Sequence, residues 1–113
     1  MKPRGTHNYF IYLVTNVTKK VLYCGVTNNL KIRLYEHQQD SLNEKKHFAG
    51  KYNCFYLVYF ERFQYIDQAI LRENEIKGWS RKKKDELIKT INPDWEFLNN
   101  EIDASFVGMT MAE

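Results

Sequence analysis

Two runs dense in β-branched and aromatic residues, Tyr9 to Val14 (YFIYLV) and Val21 to Val26 (VLYCGV), are separated only by the polar stretch TNVTKK. Such side chains suit the half-buried pleat of a strand. So short a connector turns the second run back along the first, which predicts an antiparallel hairpin. Gly25, near the end of the second run, marks a point where another group comes close to the backbone.

Downstream the period changes. In TNNLKIRLYEHQQD, Leu30 and Leu34 stand four apart, a helical spacing, and Thr27 or Asn28 is placed to cap the first turn. Residues 40–52 are polar and basic and read as a loop. CFYLVYFERF, from Cys54, predicts a third strand, with Phe55, Leu57 and Tyr59 on one face and Tyr56, Val58 and Phe60 on the other. A second helix follows over AILRENEIK, with Asp67 as its N-cap, Ile66 and Leu71 as a hydrophobic staple, and Gly78 as its stop. Ser80 caps a third helix, RKKKDELIKTI, whose apolar face is Leu87, Ile88 and Ile91, and Asn92-Pro93 ends it. Trp95, Phe97 and Leu98 are expected to clamp onto the core. The order predicts an α+β domain: a small three-stranded antiparallel sheet flanked by helices. A chain of 113 residues is expected to build one core. Residues 1–8 are expected to form a flexible basic leader, 9–98 the domain, and 99–113 a mobile acidic tail.

All 17 Lys and Arg fall before residue 91, whereas five of the 14 acids follow it. A basic body with an acidic end suits a polyanionic partner, because neutralising phosphates releases counterions; a merely solvated surface would show the same charges. Cys24 and Cys54 are the only cysteines and lie far apart, so the sequence holds neither a zinc-type pair nor a disulfide framework. No apolar run has the length of a signal peptide or a membrane span, and a cytoplasmic location is expected.

Cleaving a phosphodiester needs a cation against the phosphate, an activated water and usually a carboxylate-held metal. Arg33 offers a fork of donors matched to phosphate, and His37 follows it on the same helical face. Glu73 borders the apolar stripe of the second helix, and Tyr12 and Tyr23 sit on the paired strands. Taken singly each has an ordinary role: strand packing for the tyrosines, surface ion pairs for Arg33 and Glu73, a half-buried ring for His37.

Together they resemble the GIY-YIG endonucleases. Phe10-Ile11-Tyr12 matches the first signature tripeptide, Tyr23-Cys24-Gly25 the second, and Asn29-Leu30-Lys31-Ile32-Arg33 the N-L-x-x-R element. Ala69, Glu73 and Lys77 match the late A-x-x-x-E-x-x-x-K helix, and GWSRKKKDELIKTINPDWEFL is similar to the end of the small stand-alone bacterial branch. Phe10 replaces the first glycine, Cys24 an aliphatic residue, and Val26 a lysine found in some members; His37 stands where others have tyrosine. The resemblance covers about residues 8–98.

It implies a metal-dependent DNA endonuclease acting in repair or recombination. Glu73 would hold one Mg²⁺ or Mn²⁺, Arg33 would stabilise phosphoryl charge, and Tyr12 and Tyr23 would position the water, with Tyr12, Tyr23 or His37 as base. Lys31, Lys77, Arg81, Lys82, Lys83 and Lys84 would contact DNA phosphates. Substrate choice is expected from a protein partner, homo-oligomerisation or the loop Asn43–Lys51. The departures at Phe10, Cys24 and Val26 favour the alternative, a binding module of the same fold that no longer cuts.

Overall fold

A computed structural model describes residues 8–42 and 53–101. The leader before Asn8, the loop Asn43–Lys51 and the tail beyond Glu101 lie outside the described residues.

The predicted hairpin forms from β1 (Tyr9–Thr15) and β2 (Leu22–Thr27), which pair antiparallel with Tyr12 opposite Gly25. Asn16 closes the connector: its side-chain oxygen accepts from the Lys20 and Val21 amides at 3.0 and 3.3 Å, while Lys19 takes a positive φ of 63°. Helix α1 (Leu30–Leu42) follows, then β3 (Tyr56–Phe63), α2 (Ile66–Lys77) and α3 (Arg81–Lys89). The sheet order is β2-β1-β3, so β1 is central, and its residues from Phe10 to Thr15 are all buried.

Both faces of the sheet are covered. Phe10, Tyr12 and Val14 pack with Leu30 and Leu34 of α1, together with Cys54 and Leu57. Ile11 and Leu13 point the other way and pack with Cys24, Val58, Tyr59, Ala69 and Ile76 of α2 and Ile88 of α3. The simple alternation expected in β3 fails, because the pairing with β1 shifts between Leu13 and Val14. Leu13 faces Tyr59 and Val14 faces Leu57, so Val58 is the extra residue of a bulge. Leu57 and Phe60 therefore share the α1 face, and Val58 and Tyr59 the α2 face.

Several helix ends differ from expectation. The cap of α1 is Asn29, whose side-chain oxygen accepts from the Ile32 amide at 3.0 Å; Thr27 instead turns the chain into it by accepting from the Asn29 amide at 3.1 Å. Helix α2 begins at Ile66 after Tyr65, so Asp67 lies inside its first turn rather than at the cap. Ile66 and Leu71, the expected staple, are both exposed. Gly78 does end α2, in a right-handed conformation at φ −82°, so glycine's left-handed freedom is not used. Ser80 caps α3 by accepting from the Lys83 amide at 3.2 Å. That helix stops at Lys89, which leaves Ile91 exposed rather than on its apolar face.

The C-terminal segment docks on β3. Buried Asn92 donates to the Val58 and Glu96 carbonyls at 2.9 Å each, and the Leu98 amide donates to the Leu57 carbonyl at 2.8 Å. The Asn99 side chain accepts from the Leu57 amide and donates to the Phe55 carbonyl, both at 2.8 Å. These contacts satisfy backbone groups on the outer edge of the sheet. Asn99 is thus a docking residue, and residues 99–101 are helical.

Candidate active site

The site is built around Tyr12, the largest fully buried side chain. Its ring crosses directly over Gly25: a methyl group there would lie 2.3 Å from the Tyr12 hydroxyl and 2.5 Å from its Cζ. No L side chain fits at that distance, which gives the predicted close approach at Gly25 a cause. The ring of Tyr12 lies at 61° to that of His37 and 46° to that of Tyr23, with centroids 5.6 and 6.4 Å away, and Tyr23 and His37 are 5.5 Å apart.

Polar contacts run through the same atoms. Arg33 Nε donates to the Tyr12 hydroxyl at 3.3 Å, and that hydroxyl lies 2.8 Å from His37 Nε2. The buried hydroxyl proton needs an acceptor, and His37 Nε2 supplies it when the imidazole proton sits on Nδ1. Arg33 also pairs through Nη1 with Glu36 Oε1 at 2.9 Å. Among the described residues Nη2 has no partner, so two donors face outward from an anchored, one-third-exposed side chain.

Burial pushes the Tyr12 phenol well above its ordinary pKa, and Arg33 only partly offsets this. Burial opposes the charge of Arg33, but the hydrogen bonds from Glu36 and Tyr12 outweigh it and hold that pKa above the usual value. Tyr12 and His37 are each 1% exposed. A group so enclosed orients its neighbours and does not meet bulk water directly.

The structure thus brings Tyr12, Tyr23, Arg33 and His37 together on the α1 side. Glu73 belongs to α2, across the sheet. Its carboxylate is largely enclosed, and Oε2 accepts from Lys77 Nζ at 3.0 Å. Between the two sides runs the edge strand β2, where Tyr23 packs on the α1 face and Cys24 on the α2 face. Burial works against the charge of Lys77, yet Glu73 outweighs it and raises that pKa, with the Tyr23 phenol and the Cys24 thiol adding to the rise. Burial pushes the Cys24 thiol up to about 11, and Glu73 adds to that rise.

Among the described residues no cluster of three His, Cys, Asp or Glu forms a ready-made metal cage. Glu73 fits a different arrangement. A hard cation that keeps most of its waters and takes oxygens from a phosphate needs only one or two carboxylates, and Glu73 Oε1 has no partner among the described residues.

The basic residues divide. Lys31 is exposed on α1, and Lys77 and Lys84 both influence the Cys24 thiol beside Glu73. Lys82 is exposed, whereas Lys83 lies over the Trp79 ring at 4.3 Å. Arg81 serves the fold instead, because it donates to the Lys20 and Lys19 carbonyls at 2.7 and 3.1 Å and pairs with Asp85 at 2.8 Å, pinning the hairpin turn to α3. Sequence reasoning passed over Glu36, although its i, i+3 spacing from Arg33 was a usable signal.

Two departures from the family pattern, Phe10 and Cys24, sit in packing positions. Phe10 is buried on the α1 face and Cys24 on the α2 face, so both are core side chains.

This hairpin-and-helix arrangement defines a nuclease-type domain, and the chain belongs to the GIY-YIG family: the model of the GIY-YIG catalytic domain matches residues 8–86. Its relatives are small proteins of similar length. A UPF0213 protein of Natronomonas pharaonis is 36% identical over 81 residues, covering 72% of this chain and 91% of that one. A UPF0213 protein of Bacillus pumilus is 31% identical over 90 residues, covering 80% and 88%. The solution NMR structure of a UPF0213 protein from Bacillus halodurans shares the fold with a TM-score of 0.50 at 24% identity, over 79% of this chain and 90% of that one.

Proposed function

We propose that this protein is a divalent-metal-dependent DNA endonuclease that hydrolyses phosphodiester bonds. The observation that carries the reading is Arg33, fixed by Tyr12 and Glu36 with both Nη2 donors left for an anion. A guanidinium held in this way matches phosphate bidentately and costs no reorganisation as charge develops on the phosphoryl oxygens. Tyr23, on the edge strand β2, would position the attacking water. Buried Tyr12 and His37 would hold Arg33 and Tyr23 in register. Glu73 would hold one Mg²⁺ or Mn²⁺, which supplies positive charge to the scissile phosphate and the leaving 3′ oxygen. Lys77 and Lys84 flank that position and would engage neighbouring phosphates. A cytoplasmic role in DNA repair or recombination accords with this activity, and among the described residues no helix is long and apolar enough to cross a membrane.

The experiment is nicking of supercoiled DNA in Mg²⁺ or Mn²⁺, followed by ligase treatment. Hydrolysis that releases the 3′ oxygen leaves 3′-hydroxyl and 5′-phosphate ends, so the nicks are expected to reseal. Nicks that ligase cannot close would contradict this chemistry.

One observation favours a second reading. The Lys77 ammonium on Glu73 occupies the carboxylate in a way that a metal-free binding module would retain. Such a module would bind DNA with a steep salt dependence and produce no nicks at any metal concentration.

A further inference from the structure

A cavity of about 500 Å³ lies between the far flank of α1 and the C-terminal segment docked on β3. One wall is a single stripe of α1, since Lys31, Leu34, Tyr35 and Gln38 recur at three- and four-residue spacing. The other wall is aromatic, and Asn100 also lines the space. The rings of Phe55 and Tyr56 lie 4.4 Å apart and those of Tyr56 and Phe97 4.3 Å apart, the second pair stacked at 24°. Lys31 lines the cavity, and Lys19 Nζ sits 5.3 Å from the ring of Phe97, one of the lining residues. Tyr35 is 62% exposed, and no core packing demands an aromatic ring there.

We propose that this cavity binds one unpaired nucleotide of a nucleic-acid strand. The base would enter between Tyr35 and the aromatic wall, Lys31 and Lys19 would take the adjoining phosphates, and the amides of Gln38 and Asn100 would meet the base edges. Aromatic rings interleaved with cations are the pattern by which proteins hold single strands, because every base offers a π-face and every link offers a charge. An apolar ligand would have no use for the two lysines, and a duplex keeps its bases stacked inward. The stripe carrying Arg33 and His37 is next to this one on the same helix, so the two sites lie within about one helix diameter, roughly 10 Å. That spacing suits neighbouring nucleotides of one strand. The inference rests on the proposed reading in taking a nucleic acid as ligand, and it names the substrate as DNA or RNA with an unpaired nucleotide beside the scissile link.

The test is equilibrium binding of fluorescein-labelled hexamers, measured by anisotropy in EDTA with the full chain. The probes are oligo(dT), oligo(rU), and abasic strands with the same number of phosphates. Base binding requires oligo(dT) or oligo(rU) to bind at least about fivefold more tightly than its abasic match, the low end of what one base–aromatic stack contributes. Tyr35→Ala is expected to remove that preference and Tyr35→Phe, which keeps the ring, to retain it. Equal binding of base-bearing and abasic strands, or a preference that survives Tyr35→Ala, would overturn the proposal. Binding in EDTA does not depend on cutting, so a protein that prefers unpaired bases and never nicks DNA would refute the nuclease reading and leave the cavity assignment standing.

Discussion

Arg33 and Tyr12, 21 residues apart in sequence, meet through a hydrogen bond of 3.3 Å from the guanidinium Nε to the phenol oxygen. The contact ties α1 to the central strand at the one point where Gly25 lets the phenol ring lie across β2. Arg33 lies on the helix surface, so its chemistry can be removed without disturbing the core. Arg33→Ala is expected to lower the nicking rate by about 10²–10³-fold, the usual loss for one preorganised anion donor. The melting temperature should stay within a few degrees of wild type, which thermal unfolding monitored by circular dichroism would check.

Tyr12→Phe keeps the ring and deletes the hydroxyl. It removes the hydroxyl that meets His37 Nε2 in the core, a loss expected to cost about 1–3 kcal/mol of stability. Urea unfolding reads this directly, and the nicking rate should fall alongside because Arg33 loses one anchor.

Gly25→Ala places a methyl group where the Tyr12 ring stands. Overpacking of this kind is expected to destabilise by about 1–3 kcal/mol. Tyr12→Leu clears the ring from that space, so the double variant should lose less stability than the two single losses combined. Strict additivity in a double-mutant cycle would contradict the contact.

Glu61 forms a two-pronged pair with Arg72, at 3.0 Å on each oxygen, and accepts a hydrogen bond from the Tyr59 hydroxyl. Burial opposes ionisation of Glu61, but Arg72 and Tyr59 outweigh it and hold its pKa below 4.5. A carboxylate whose pKa is depressed by folding stabilises the native state above its unfolded pKa, and that contribution disappears as pH falls through the folded value. Wild type is therefore expected to exceed Glu61→Gln in stability at pH 7, with the gap closing as the pH drops below about 4.5. Denaturant titrations at pH 7, 5 and 3 would check it.

The sheet and its helices were legible because hydrophobic period and punctuation agree locally: the hairpin, Ser80 and Gly78 all act through near neighbours in the chain. What stayed hidden was long-range. The Val58 bulge answers to register against β1, and the parity of β3 alone gives no sign of it. Asn92 and Asn99 read as helix terminator and tail, yet their amides complete the edge of β3. Arg81 clasps the hairpin turn, a contact 61 residues away that its local sequence does not announce. In the site, Arg33 and His37 were visibly on one helical face, but that Tyr12 joins them through a single hydroxyl depends on the sheet packing beneath α1. The Lys77–Glu73 ion pair follows from their four-residue spacing on α2.

The central claim is that a carboxylate on one side of the sheet and a guanidinium on the other serve one hydrolytic site. It is tested most directly by comparing wild type, Glu73→Gln and Arg33→Ala, purified in parallel, for nicking of supercoiled DNA across a Mg²⁺ titration and in EDTA. Wild type is expected to nick with a rate that rises and saturates with Mg²⁺, while EDTA and both substitutions reduce cutting to background. Cutting by Glu73→Gln at the wild-type rate and with the same Mg²⁺ dependence would contradict it.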